Sequence, residues 1–303
     1  MRHFRNILFV AGFDDGPVPG HVFDRALSFA RSNKAKLTLM DVVSTPRPVL
    51  EVPSADILEL VLNGRRESLL QLAEFALGEG VDVETELAVG KPFLEITRRV
   101  LLFEHDLVIT DGGRDEGAGG WMDGTTMHLM RKCPCAIWLV RPQLGNRHTR
   151  ILAAIDPDAA DSEKDSLNRK IMELAISLAK LQASALHVVH VWEPLGVPVG
   201  STADIWKHWE VAARATLKQR LDEFLAEYSL GPDPRVHLVG GKPALAISRL
   251  ASEEQINLLV MGTVCRTGIR GFFIGNTAEG MLRRVDCSLL TVKPDGFISP
   301  VTV

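Results

Sequence analysis

A glycine-rich stretch near the C-terminal end of the sequence carries its clearest chemical signal. Residues 262–279 read GTVCRTGIRGFFIGNTAE and lie between an apolar run and a predicted helix. Backbone N–H groups at such a junction, together with the positive end of the helix dipole, favour an anion such as a phosphate. Asn276 or Thr277 is also able to cap the helix. Glycines that only turn the chain give the same pattern, so both interpretations stand at this point.

The common sequence motifs of catalytic, phosphate-binding and metal-binding sites are missing from the sequence. It contains no G-x-S-x-G elbow, no G-x-x-x-x-G-K-[ST] loop and no H-E-x-x-H pair. His187 and His190 lie on one predicted strand but on opposite faces, so they cannot chelate one ion together. The sequence therefore predicts no catalytic residues and no metal site.

The composition and net charge of the chain argue against nucleic acid and membranes as binding partners. The chain has 303 residues, with 34 basic and 38 acidic side chains and a net charge of −4. No overall positive field attracts nucleic acid or an anionic membrane, and no apolar run is long enough for a membrane span. Four cysteines are few for this length and fit a reducing compartment. We expect a cytoplasmic protein that binds neither nucleic acid nor membrane.

The sequence repeats itself. Gly90-Lys91-Pro92 recurs 151 residues later as Gly241-Lys242-Pro243, and the run CAIWLVRP at 135–142 recurs as CSLLTVKP at 287–294. The polar stretch between the copies, around Gly145, has the character of a linker. We therefore predict two domains, residues 1–146 and residues 147–303.

Each copy alternates short β-like runs with longer amphipathic ones. In the second copy we predict strands at 151–156, 185–191, 235–240, 257–262 and 288–293, and helices over 168–181 and 203–228, from Pro243 and after Asn276. Five strands separated by four helices require crossover connections and so a parallel sheet covered on both faces. The fold class is α/β, with two tandem doubly wound domains. In such sheets, ligands bind beyond the carboxyl ends of the strands.

Cys133 and Cys135 are two residues apart and invite two interpretations. They are able to act as soft metal ligands, or they simply pack in a core. The repeat favours packing, because Cys135 corresponds to Cys287, which has no neighbouring cysteine.

The glycine-rich loop resembles the signature of the universal stress protein (UspA) superfamily, which is Gly, two residues, Gly, nine residues, Gly, then Ser or Thr. The frame is kept here as Gly262, Cys265, Gly275 and Asn276. Cys265 adds a side chain where the nucleotide binders of the family have none. Asn276 replaces a hydroxyl that would face the terminal phosphates, although an amide also donates a hydrogen bond. The resemblance covers both copies and is greatest to the two-domain branch of universal stress protein E.

The resemblance implies a Rossmann-like fold of the adenine nucleotide alpha hydrolase type and a nucleotide, ATP with Mg²⁺, in the second domain. Asp156 matches the acidic residue after the first strand, Val191 the adenine contact after the second, and Met261 the position before the first glycine. Ordinary sheet packing explains Val191 and Met261 equally well. Asp156 alone is polar, and an Asx turn would also account for it.

The first copy departs further from the signature. Its frame reads Asp111, Arg114, Gly124 and Thr125, and Gly12 stands where Asp156 stands in the second copy. A carboxylate in a phosphate loop repels an anionic ligand, although Arg114 is able to pair with it. We therefore predict no nucleotide site in the first domain.

The function implied is a stress-response regulatory protein that binds a nucleotide with little or no turnover, rather than an enzyme. The family's last strands commonly pair domains, which implies an internal pseudo-dimer here and leaves a further homodimer open, together with protein partners. Two alternatives remain. One is a scaffold without nucleotide, and the other is a slow nucleotide hydrolase, for which no general base is identifiable apart from Asp156.

Overall fold

The computed structural model describes residues 4–12, 20–44, 55–111, 124–141, 150–157, 162–193, 203–263 and 284–303. The predicted loop residues Cys265, Gly275, Asn276 and Thr277 lie outside these ranges, as do Arg114 and the helix expected after Asn276. Among the helices that the structure does describe, none combines the length and the hydropathy that a membrane crossing needs.

The first half of the chain alternates strands and helices in the predicted order. Its elements are β1 (Asn6–Val10), α1 (Gly20–Asn33), β2 (Lys36–Ser44), α2 (Ala55–Gly78), β3 (Val83–Gly90), α3 (Pro92–Phe103), β4 (Leu107–Thr110), α4 (Gly124–Lys132) and β5 (Ala136–Leu139).

The second half repeats this succession within its described residues. Its elements are β6 (Arg150–Ile155), α5 (Ser162–Gln182), β7 (Ala185–Trp192), α6 (Ala203–Leu225), β8 (Arg235–Gly240), α7 (Pro243–Glu253), β9 (Leu258–Gly262) and β10 (Ser288–Val292). The five predicted strands are present, and α5 begins six residues earlier than the apolar periodicity alone indicated.

The ten strands form one continuous sheet in the order β3-β2-β1-β4-β5-β10-β9-β6-β7-β8. Every pairing within a half is parallel, as crossover connections require. Among the strands of the described residues, the single antiparallel pairing joins β5 to β10, where Leu139 lies opposite Leu289 and Ile137 opposite Thr291. The α/β fold class is confirmed, and the two halves meet through their last strands.

Apolar side chains cover both faces of this sheet. One core cluster contains Phe9, Phe29 and Trp138, and the rings of Phe29 and Trp138 meet edge to face at 4.9 Å. The other cluster lies on the opposite face and contains residues of β7, β9 and α7. Strands that are buried on both faces read as continuous apolar runs, which is why the sequence located them well.

The repeated Gly-Lys-Pro triplets start α3 and α7. In both places the lysine has an extended backbone and the proline is the first helical residue, where its missing N–H has no intrahelical partner to lose. Gly241 has φ = +135°, a conformation that favours glycine. The structure thus assigns these triplets a role in starting helices.

Candidate functional site

The carboxyl ends of three adjacent strands, β9, β6 and β7, bring together the described part of the predicted site. Ile155 lies opposite His190, and Ala154 lies opposite Met261, so Asp156, Val191 and Gly262 fall at one edge of the sheet. This is the edge at which ligands bind in parallel α/β sheets. The structure does not describe the other four predicted residues.

Val191 and Met261 form an apolar layer beneath this edge. Each side chain is about 5% exposed, and both belong to the core cluster that packs against α7. Their burial is what sheet packing alone requires. They offer a ligand an apolar floor, but no polar contact.

Asp156 is held in place through its backbone. Its N–H donates to Asn168 Oδ1 at 3.0 Å, and Asn168 Nδ2 donates to its carbonyl oxygen at 2.9 Å. Asn168 belongs to α5 and is buried, so this pair of hydrogen bonds ties the end of β6 to that helix. The sequence analysis missed the contribution of Asn168, since no motif links positions 156 and 168.

The carboxylate of Asp156 remains 39% exposed, and its Oδ1 lies 3.6 Å from Nδ1 of buried His190. The same ring nitrogen lies 3.2 Å from the carbonyl oxygen of Ile155. A half-exposed carboxylate beside an imidazole is able to accept hydrogen bonds from hydroxyl or amino groups of a ligand. His190 therefore belongs to this edge, although the sequence analysis treated it as an isolated residue.

Gly262 ends β9 under close contact from α5. A side chain built at this position would place its Cβ 2.6 Å from Cδ2 of Leu167 and 3.2 Å from its Cγ. The absence of a side chain at 262 is thus explained by helix packing. After it, the N–H of Thr263 donates to the carbonyl oxygen of Val292 at 3.2 Å, which fixes the start of the glycine-rich loop to β10.

The first half presents a different edge. Gly12, the counterpart of Asp156, has φ = +60°, and Oδ1 of Asp111 lies 4.0 Å from the position that a Cβ at residue 12 would take. The counterpart of His190 is Asp41, which is buried and forms an ion pair with Arg65 at 3.6 Å. Asp41 and Asp111 of the first half thus stand at the positions of His190 and Gly262 in the second half.

A second group of titratable residues lies near the opposite edge of the second half. Nδ1 of His187 is 3.2 Å from Nε2 of His237, the rings stack at 5.4 Å, and Glu254 is 3.9 Å from His187. Burial lowers the pKa of both histidines. The sequence analysis missed this pair because the two residues are 50 positions apart, on neighbouring strands. Within the described residues, no group of three or more ligands is arranged to hold a metal ion.

Comparison with known families gives a match along most of the chain. The model of the universal stress protein family matches twice, over residues 3–141 and 148–293. Universal stress protein E of Photorhabdus laumondii is 25% identical over 317 residues, covering 99% of this chain and 98% of the relative. Universal stress protein E of Escherichia coli K12 is 28% identical, covering 80% of this chain and 78% of the relative.

Solved structures share the fold over both halves. A universal stress protein structure from Pseudomonas aeruginosa UCBPP-PA14 superposes with a TM-score of 0.73 and 24% identity, covering 98% of this chain and 95% of that one. A universal stress protein from Archaeoglobus fulgidus gives a TM-score of 0.64 at 17% identity, covering 94% of this chain and 98% of that one.

Proposed function

The chain belongs to the universal stress protein family, and from this premise we propose that it is a stress-response regulatory protein whose second half binds ATP or a related nucleotide with little or no turnover. The observation that carries the proposal is the edge formed by Asp156, His190 and Gly262. It combines a half-exposed hydrogen-bond acceptor, an apolar layer beneath it and the start of a glycine-rich loop at the carboxyl ends of adjacent parallel strands.

Each described residue has a place in this proposal. Asp156 would accept hydrogen bonds from hydroxyl or amino groups of the nucleoside, because its backbone is fixed by Asn168 and its carboxylate faces outward. Val191 and Met261 would underlie the base. The loop from Gly262 to Thr277, including Cys265, Gly275 and Asn276, would hold the phosphates through backbone N–H groups. Mg²⁺ would be held mainly by the phosphates, as is usual for this ion.

The proposal of low turnover rests on the general base that nucleotide hydrolysis requires. A general base must lie within hydrogen-bond reach of the attacking water beside the terminal phosphate. Asp156 is assigned to the nucleoside, and His190 is buried behind it. A slow hydrolase remains the less favoured proposal, and it requires phosphate release that Gly275→Val abolishes.

A scaffold without nucleotide is the second candidate, and one observation favours it. Gly262 is accounted for by Leu167, and Val191 and Met261 are accounted for by the core, so three residues of the proposed site have packing roles of their own. Asp156 is therefore the described residue that separates the two candidates.

Nucleotide binding is tested in two ways, by identifying any nucleotide that copurifies with the protein and by measuring its uptake of Mg-ATP. The purified protein is denatured and its supernatant is chromatographed for nucleotides, and uptake of Mg-ATP is then measured by equilibrium dialysis. We expect uptake near one per chain, reduced by Asp156→Ala and by Gly275→Val but not by Asp111→Asn in the first half. Absence of carried nucleotide together with absence of uptake would leave the scaffold as the function.

A further inference from the structure

A cavity of about 620 Å³ lies where the two halves meet. The end of α3 and the segments that lead into β4 and β5 line it from the first half, and α5 and the segment after β10 line it from the second half. Cys135, Asp106 and Lys293 are among its lining residues. It is separate from the proposed nucleotide edge, because neither Asp156 nor Gly262 lines it.

Two thiols meet at the wall of this cavity. Cys133 and Cys135 flank Pro134 in the bend between α4 and β5, and their sulfur atoms are 3.5 Å apart. Cys133 is fully buried, whereas Cys135 is partly exposed and lines the cavity. A disulfide has an S–S length of about 2.05 Å, so the two sulfurs need to approach by only about 1.5 Å. The arrangement thus gives one accessible sulfur and one sheltered sulfur within reach of it.

A cation from the other half faces these thiols. Lys293 follows β10, its side chain is buried, and its Nζ donates a hydrogen bond to the carbonyl oxygen of Met130 at the end of α4. Burial lowers the pKa of Lys293 to about 8, while the neighbouring Cys133 and Cys135 act in the opposite direction. The first half thus supplies the dithiol, and the second half supplies the cation beside it.

The charge of Lys293 changes how the thiols ionise. Burial alone would raise the pKa of Cys133, but the hydrogen bond from Cys135 and the Lys293 ammonium outweigh it and lower this pKa. Burial and the neighbouring Cys133 and Asp106 raise the pKa of Cys135, so the pair loses one proton readily and retains the other. Cys287 shows the contrast, because burial raises its pKa to about 12 although Arg141 acts in the opposite direction.

We propose that Cys133 and Cys135 are a redox-active dithiol that closes to a reversible intramolecular disulfide when a hydroperoxide enters the cavity at Cys135. The inference does not rest on nucleotide binding. It assigns a modification site to the seam between the halves, and the oxidant is a small peroxide such as hydrogen peroxide.

The chemistry balances in two steps. In the resting pair Cys133 carries the negative charge and Cys135 the proton, and transfer of that proton between the two sulfurs, which lie 3.5 Å apart, moves the thiolate to Cys135. Its thiolate bonds to one peroxide oxygen, the O–O bond breaks and hydroxide leaves, which gives a sulfenic acid. The Cys133 thiol then attacks that sulfur, the S–S bond forms, the S–OH bond breaks, and water leaves with the thiol proton. The two sulfurs together lose two electrons, and the peroxide gains them.

The first experiment treats the reduced full-length protein, in a Cys265→Ser background, with hydrogen peroxide. The reaction is quenched with an alkylating reagent and digested, and the peptide containing residues 133–135 is analysed by mass spectrometry. We expect this peptide to lose two hydrogens and to resist alkylation until dithiothreitol is added. Cys287 serves as the matched buried thiol and should remain reduced under the same conditions.

Single variants separate entry of the oxidant from closure of the bond. Cys133→Ser should leave Cys135 as a sulfenic acid that dimedone traps, while Cys135→Ser should leave Cys133 reduced because no accessible sulfur remains. Lys293→Met should slow closure of the disulfide about threefold. If the substitution raises the pKa of the ionising thiol by about one unit, the thiolate fraction falls about tenfold, and the higher nucleophilicity of the more basic thiolate offsets part of that loss.

Three outcomes would overturn the proposal. The first is that both thiols stay reduced in the folded protein but oxidise when the chain is unfolded in guanidinium, which would make them packing residues. The second is a disulfide between two chains instead of within one peptide. The third is oxidation of Cys133 in the Cys135→Ser variant at the rate of the parent, which would remove Cys135 as the entry point.

Discussion

The two halves share one arrangement of strands, yet their carboxyl edges carry different chemistry. The first half has Asp41 and Asp111 beside a glycine at residue 12, and the second half has His190 and Gly262 beside Asp156. Asp111 adds a carboxylate where the second half has Gly262, which opposes an anionic ligand, while Asp41 is buried and paired with Arg65. The comparison teaches that two copies with the same arrangement of strands carry different polar residues at the edge where ligands bind in such sheets, and the proposed nucleotide site lies in the second copy.

Asn168 holds the edge of the second half, and its removal gives the largest expected effect. Asn168→Ala removes both hydrogen bonds to the backbone of Asp156 and leaves buried groups unsatisfied. We expect the free energy of unfolding to fall by about 2–3 kcal/mol, measured by urea denaturation. Gln219→Ala, an exposed amide on α6 that pairs with Glu223, is the matched control and should change it by under about 0.5 kcal/mol. Equal losses in the two variants would mean that Asn168 does not hold the edge.

The second prediction concerns the glycine that ends β9. Gly262→Ala forces Leu167 to move, so we expect a loss of about 1–3 kcal/mol from overpacking. Adding Leu167→Ala should recover part of that loss when the double variant is compared with Leu167→Ala alone. Gly124→Ala, at the first residue of α4 with no atom near the added carbon, should be neutral or slightly stabilising. If the double variant shows no recovery, the contact with Leu167 is not the reason for glycine at 262.

The third prediction compares three histidines near the opposite edge, the buried His187 and the partly buried His237 in the second half and the buried His105 in the first. Burial lowers the pKa of His187, His237 and His105, so the unfolded chain binds more protons below the ordinary histidine pKa of 6.5. Stability is therefore fully present above pH 6.5 and is lost as the pH falls through the lowered pKa values. Each proton contributes at most about 1.4 kcal/mol per pH unit.

The charged neighbours modify this pH dependence without reversing it. Glu254 opposes the shift at His187 and His237, while Arg235 reinforces it at both. We expect His187→Gln with His237→Gln to reduce the slope of unfolding free energy against pH by up to twice as much as His105→Gln does. Denaturant titrations between about pH 5 and 7 would measure these slopes, and an unchanged slope in the double variant would contradict the assignment.

The sequence predicted the fold better than it predicted the site, for a physical reason. Apolar runs and the Gly-Lys-Pro triplets are local signals, and they located the five strands of the second half and the starts of α3 and α7. The contacts of Asn168 with Asp156, and of His187 with His237, join residues that are 12 and 50 positions apart and leave no local pattern. The continuation of both halves into one sheet depends on the antiparallel pairing of β5 with β10, which the family resemblance implied and no motif encodes.

The cysteine pair shows that matching positions of a repeat acquire different neighbours. The match of Cys135 with Cys287 favoured packing for both residues, and burial supports that interpretation for Cys287. The contact between Cys133 and Cys135, and the cation that reaches them from the other half, exist only in three dimensions. A residue type shared by two copies therefore does not imply a shared environment.

The most direct test of the central claim is thermal unfolding with and without Mg-ATP, for the wild-type protein and for Asp156→Ala and Asp111→Asn. A ligand at about 100 times its Kd stabilises the folded state by about 2.7 kcal/mol. The account predicts a rise in Tm that Asp156→Ala removes and Asp111→Asn retains. No rise in the wild-type protein, or a rise that Asp156→Ala leaves intact, would contradict a nucleotide site at the edge of the second half.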